Sequence, residues 1–167
     1  MILPYIERFR DDLRQALRER SLEDVFFMDA YTWGPRRLTH PEDLRGRVRD
    51  AIRDSLCMFA FISPGYVSSN WCRFEWIEME EDAKLSRCQQ CWPFIAPVLW
   101  KTDEFPYSLF HIYEPYDIRD CIQASIFDAS GDWFERSRSW RDFIQASYGF
   151  VRQRITHDTP AHRMKNV

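Results

Sequence analysis

The run Cys57-Met-Phe-Ala-Phe-Ile62, closed by Ser63-Pro-Gly65, constrains the fold of this chain more than any other stretch. A charge-free segment of this length, ended by a turn signal, reads as a strand buried on both faces, the kind found in parallel sheets. Beyond the turn, Ser68 or Ser69 is placed to cap a helix whose first turn carries Trp71 and Cys72. Residues four apart share a helix face, so Trp71 and Glu75 project together. Open α/β sheets place their ligand crevice outside the carboxyl ends of the strands. A carboxylate beside an indole at that edge is a candidate reaction site.

The flanking periodicities extend the pattern. Ile6, Phe9, Leu13 and Leu17 recur at helical spacing and predict an amphipathic helix over 5–20. Val25-Phe-Phe-Met28 reads as a short strand, followed by a polar, turn-rich stretch from Asp29 to His40. Thr39 with Glu42 makes a capping box, and Pro41 suits the first turn of a helix with Leu44, Val48, Ala51, Ile52 and Ser55 on one face. The strand over 57–62 and a helix over 70–87 come next. Trp92 to Trp100 predicts a further strand, which Pro93 and Pro97 mark as irregular or edge-like. Ile112-Tyr113 gives a weak strand. A last helix over 132–155 carries Trp140, Phe143, Ile144, Ser147, Tyr148, Val151 and Ile155 as its stripe, and the polar residues 156–167 read as a flexible tail. Helices alternating with strands predict a doubly wound α/β sheet.

Composition narrows the function classes. The chain has 167 residues, 45% of them apolar, with thirteen Phe and seven Trp, enough for one core and too little for two comfortable domains. A formal charge of −3, with basic and acidic residues interleaved along the helices, gives no reason to expect nucleic acid as a partner. No apolar run is long enough for a membrane helix and no secretory leader is visible, so a cytoplasmic protein is expected. The five Cys then read as free thiols. Cys88-Gln-Gln-Cys91 has the spacing of half a zinc site, but no second pair completes it, and His40, His111, His157 and His162 stand at no paired spacing. No metal is expected. Phosphate-cradling, zincin and nucleophile-elbow motifs are lacking, and Cys72 has no local base to make it a nucleophile. Trp76, Trp92, Trp100, Trp133 and Trp140 match core faces and read as packing residues.

The block Ser63-Pro-Gly-Tyr66, then Ser69-Asn-Trp-Cys-Arg-Phe-Glu75, resembles the third strand and third helix of a Toll/interleukin-1 receptor (TIR) domain, in particular the bacterial kind. Ala51-Ile52 and Leu56 to Ile62 fit the helix and strand that precede it in the family. As ordered elements the resemblance covers most of residues 5 to 150. It implies a flavodoxin-like three-layer sandwich with a mostly parallel central sheet, a TIR-like domain over 1–155 and a tail over 156–167. Family members open with a strand bearing a Phe-Ser-Tyr-like sequence. Here Met1-Ile-Leu-Pro4 leads almost directly into a helix, so the first strand is expected short or missing. Either the start is truncated or other residues fill the gap, a partner chain among them.

The resemblance implies two functions. In one, the domain hydrolyses or cyclises NAD at the nicotinamide–ribose bond, with NAD as substrate and no separate cofactor. The base leaves neutral from a cationic pyridinium, so no general acid is needed. Positive charge develops on the ribose, as in glycoside cleavage, and one carboxylate suffices to stabilise it. Glu75 then corresponds to the family's catalytic glutamate, and Trp71 completes its Trp-x-x-x-Glu pair. Asp29 and Trp33, in a loop that in the family follows the second strand, reaches a neighbouring domain and can close a composite pocket, are the further substrate-binding candidates. The expected partners are NAD and other TIR-like domains, by self-association or hetero-association, in a defence or signalling role switched on by assembly. In the other function, the domain is a non-enzymatic TIR–TIR interaction module. A third reading is a flavodoxin-like nucleoside deoxyribosyltransferase, which also sets a Glu against a glycosidic bond. Beside all three stands the structural alternative: a second-turn Glu is commonly a surface residue paired with an Arg, and Arg73 and Arg87 are available.

Overall fold

The computed structural model describes residues 3–18, 41–87, 89–101, 113–126, 134 and 137–157. The elements run α1 (Leu3–Arg18), α2 (Pro41–Asp54), β1 (Met58–Ile62), α3 (Pro64–Ser68), α4 (Asn70–Ser86), a 3-10 turn (Gln89–Cys91), β2 (Ile95–Leu99), β3 (Tyr116–Asp117), α5 (Arg119–Ile126) and α6 (Arg138–His157). The three strands form one sheet in the order β1-β2-β3, and both pairings are parallel. The strand expected over Val25–Met28, the capping residue Thr39, Cys88, Ile112, Trp133 and the tail from 158 lie outside the described residues.

Strand alternation builds two cores. From β1, Ala60 and Ile62 join Val48 and Ile52 of α2 and Trp76, Met79 and Ala83 of α4 on one face. Phe59 and Phe61 point to the other face, where the Phe9 ring of α1 meets both, at 5.0 and 5.4 Å between centroids, and stacks on Phe143 of α6 at 5.1 Å. The periodic Phe9, Leu13 and Leu17 of α1 are all buried there, with Trp140, Phe143, Ile144, Tyr148 and Val151 of α6. The result is a three-layer α/β sandwich with helices on both sides of a parallel sheet, the flavodoxin-like class expected from the chain.

One expectation is corrected. The prolines of the 92–100 segment predicted an irregular or edge-like strand, yet β2 lies between β1 and β3 and all five of its residues are buried. The ladder explains how Pro97 is tolerated. Phe94 accepts from Met58 and Trp100 donates to Ile62, so the even-numbered residues face β1, whereas the Leu99 carbonyl accepts from Ile118 on the β3 side. Pro97, odd-numbered, turns its missing N–H toward β3. That strand pairs with Val98 and Leu99 alone, so Pro97 stands beyond the end of the ladder and removes no bond from it.

Other differences are local. Ser63-Pro-Gly65, expected to be a turn, opens the short helix α3: Ser63 Oγ accepts from the Tyr66 backbone N–H, and Pro64 starts the first turn. Tyr113 is a buried core residue outside any strand, and the third strand falls at Tyr116–Asp117. Helix α5 was not expected. Cys91 is buried with its thiol against the Gln153 carbonyl, which makes it a packing residue of the α6 contact.

Candidate functional site

Because the three described strands run the same way, their carboxyl ends, Ile62, Leu99 and Asp117, share one edge. The chain leaves β1 there through α3 and enters α4, capped by Ser69, whose hydroxyl accepts from the Cys72 backbone N–H. Of the two serines considered from sequence, Ser69 is the cap. The cap fixes the start of α4, and that fixes which residues of its first two turns look toward the edge.

Trp71 and Glu75 do meet. The Trp71 indole Nε1 donates to Glu75 Oε1 at 2.9 Å, and both residues are half-buried. The Trp71 ring packs against the α2–α4 core, so its N–H is presented from a supported ring. Tyr66, from α3, completes the surroundings. Burial pushes its phenol well above the ordinary value, and Cys72 and Glu75 act in the same direction. The site therefore combines a carboxylate, an indole donor and a phenol that stays protonated.

The arginines considered as structural partners of Glu75 are placed differently. Arg73 is exposed. Arg87 is buried at the opposite edge, where its Nε meets Asp82 at 2.5 Å and its Nη atoms donate to the carbonyls of Ile52, Ser55 and Leu56. Asp29 and Trp33 lie outside the described residues. Trp76 and Trp140 are buried, and Trp92 and Trp100 are half-buried against the two cores, in line with packing roles. Among the described residues, no group of three His, Cys, Asp or Glu could hold a metal ion, and no helix is long and apolar enough to cross a membrane.

Sequence reasoning assigned no role to Phe74 or to Arg45 and Arg49 of α2. The Phe74 ring lies 5.5 Å from that of Trp71, and both guanidinium carbons sit 5.4 Å from its centroid. The one signal for it was spacing, since Phe74 follows Trp71 by three residues and so shares its side of the helix.

A parallel sheet covered on both faces, with a strand–turn–helix unit carrying an acid and an indole to its carboxyl edge, defines a doubly wound α/β domain with a candidate site on its rim. The family model for the TIR domain matches residues 7–145, most of the chain, and the chain belongs to the TIR domain family. No curated protein and no solved structure matches it.

Proposed function

We propose that this TIR domain cleaves NAD at the bond between nicotinamide and ribose, with Glu75 as the catalytic carboxylate, in a cytoplasmic defence or signalling role that assembly switches on. The observation that carries this reading is the Trp71–Glu75 hydrogen bond at the carboxyl edge of the sheet. A carboxylate that accepts from a fixed donor has one oxygen and one orientation defined in advance, which is what stabilising a transient cation demands. As the C1′–N bond breaks, its electron pair leaves with nicotinamide, which departs as a neutral base. Positive charge builds on the ribose, and Glu75 stabilises it. Water then attacks C1′ and loses a proton, giving ADP-ribose; attack by a group of the same nucleotide gives a cyclic product. The Trp71 ring supplies an apolar wall that limits water near the reacting carbon. Asp29 and Trp33 are proposed as further contacts to NAD.

A second reading draws on the same bond. A half-buried indole needs an acceptor, and Glu75 satisfies it whether or not chemistry follows. On that reading the domain is a non-enzymatic module that binds other TIR domains. The test is nicotinamide release from NAD by purified protein, dilute and clustered. The enzymatic reading expects release that falls by about 10²-fold or more in Glu75→Gln. No release in any state of assembly, or equal release by the variant, rejects it. Association with other TIR domains that survives Glu75→Gln without any release supports the module.

A further inference from the structure

The Trp71–Glu75 bond is only as fixed as the ring that donates it, and that ring is reached by a chain of contacts beginning on another helix. Arg45 and Arg49 of α2 cover the Phe74 ring, each at 5.4 Å from its centroid. Arg49 is itself anchored, since its Nε and Nη2 both meet Glu78 Oε1 at 2.9 Å. Glu78 lies one turn beyond Phe74 on α4, so the pair ties the guanidinium down over that ring. Phe74 in turn lies 5.5 Å from Trp71 at an interplanar angle of 41°, and Trp71 donates to Glu75.

We propose that Phe74, clamped by Arg45 and Arg49 of α2, is a positioning residue that sets the Trp71 indole and, through it, the aim of the Glu75 carboxylate. An N–H···O bond weakens steeply as its angle closes, so a small tilt of the indole costs the alignment of the bond. Cation–π attraction holds a guanidinium over an aromatic face and loses its basis when the ring becomes aliphatic. The clamp crosses from α2 to α4, so a displacement of α2 along α4 reaches the carboxylate without any contact to it. The catalytic consequence rests on the NAD-cleaving reading. The structural half does not.

Indole N–H groups give resolved NMR resonances, and the loss of one in Trp71→Phe assigns that of Trp71 among the seven. Glu75→Gln replaces a charged acceptor by a neutral one, and the shift it causes gauges the bond. Phe74→Leu is expected to move the Trp71 resonance in the same direction and to speed its exchange with solvent, and Phe74→Tyr is expected to restore both. Arg45→Gln combined with Arg49→Gln, at exposed positions, gives a smaller change of the same kind and keeps the test open should Phe74→Leu not fold. In the same variants, kcat for nicotinamide release is expected to fall about tenfold, with KM within about twofold, the pattern of a misaimed group and not of lost binding. An unmoved Trp71 resonance in both Phe74→Leu and the double arginine variant overturns the proposal, as does failure of Phe74→Tyr to restore it. A resonance that moves in a protein releasing no nicotinamide supports the positioning chain and rejects the NAD-cleaving reading.

Discussion

The buried arginines at the amino edge of the sheet and Glu75 at its carboxyl edge differ in what their side chains bond to. At the amino edge, the Arg87 and Arg154 guanidiniums flank the Phe94 ring, 5.1 and 5.7 Å from its centroid, and both residues are buried. Arg87 donates to three carbonyls that end α2 and lead into β1, and Arg154 donates to the carbonyls of Pro93 and Phe150. Their donors reach the carbonyls of Ser55, Leu56 and Pro93, in the segments that lead into the strands, where main-chain acceptors fall outside the regular ladders. At the carboxyl edge the charge of Glu75 is half-buried, and the bond that aims it comes from a neutral indole. A buried charge tied to backbone is architecture, because moving it would expose what it satisfies. At the carboxyl edge the bond seen on the half-buried carboxylate of Glu75 is a side-chain one, from the neutral indole of Trp71, and no main-chain group depends on it.

Exchanging the effects at the two edges would break this contrast, and the largest expected effect lies on the carboxyl side. Glu75→Gln should cut nicotinamide release by about 10²-fold or more while leaving the urea midpoint nearly unmoved. Arg87→Met should do the reverse. It removes the cationic partner of Asp82, which among the described residues keeps only the Ser86 hydroxyl, and takes the guanidinium donors from the carbonyls of Ser55 and Leu56, and is expected to lower stability by about 3–5 kcal/mol. For a chain of this length that corresponds to roughly 10 °C in the melting temperature. Nicotinamide release measured well below that temperature should stay near wild type. A variant of Arg87 that folds normally yet releases nothing would erase the distinction between the edges.

The carboxyl edge was the more legible of the two in sequence, for physical reasons. The strand at 57–62 announced itself through an absence of charge, and the helix after it through Ser69 and the Trp71–Glu75 spacing. Both signals are local, and local signals survive without knowledge of the fold. Helix α3 escaped because Ser63-Pro-Gly65 carries the marks of a turn; a helix of five residues with none of them buried has no periodicity to display. Pro97 misled because proline is read as a property of a strand, whereas its cost depends on which neighbour its nitrogen faces and how long that neighbour is. Arg87 and Arg154 were invisible as core residues, since arginine is seldom fully buried and nothing in a sequence states which carbonyls will need donors. The Phe74 clamp was hidden for a related reason: its partners come from α2, and the register of one helix against another is a tertiary fact.

Cys57 offers a finer probe of the amino edge. It precedes β1, and burial pushes its thiol up to about 12 even though Arg154 and Arg87 both pull the other way. The residue as a whole is half-buried, so the shift reflects the surroundings of its sulfur. At pH 8 its alkylation by iodoacetamide should be at least about tenfold slower in the native protein than in urea. The folded value lies above that of the unfolded thiol, 9.0, so this contribution to stability is complete below pH 9 and is lost as pH rises toward 12. Equal alkylation rates in the two states would show that the amino edge is open to solvent and would weaken its reading as closed architecture.

The smallest effect tests whether position at the carboxyl edge is enough to make an acid functional. Asp117 ends β3 and so stands on the same edge as Glu75. Its partners are cationic: Arg119 donates to Oδ1 from Nε at 2.9 Å and to Oδ2 from Nη2 at 2.6 Å, and the Arg119 backbone N–H adds a third bond to Oδ1. The Arg119 guanidinium holds this carboxyl below its usual value of 3.8. A folded value that is lowered stabilises the protein above the unfolded value and ceases to do so as pH falls through the folded one. Asp117→Asn should therefore cost about 0.5 kcal/mol near neutral pH, small because the pair is solvent-screened, and the difference from wild type should vanish in acid below the Asp117 value. Nicotinamide release should be unaffected, because both oxygens of this acid are already committed to a guanidinium. If Asp117→Asn instead abolished release, the proposal that Glu75 is the catalytic carboxylate would fail as it stands, and the proposed site would have to be redrawn across the strand ends.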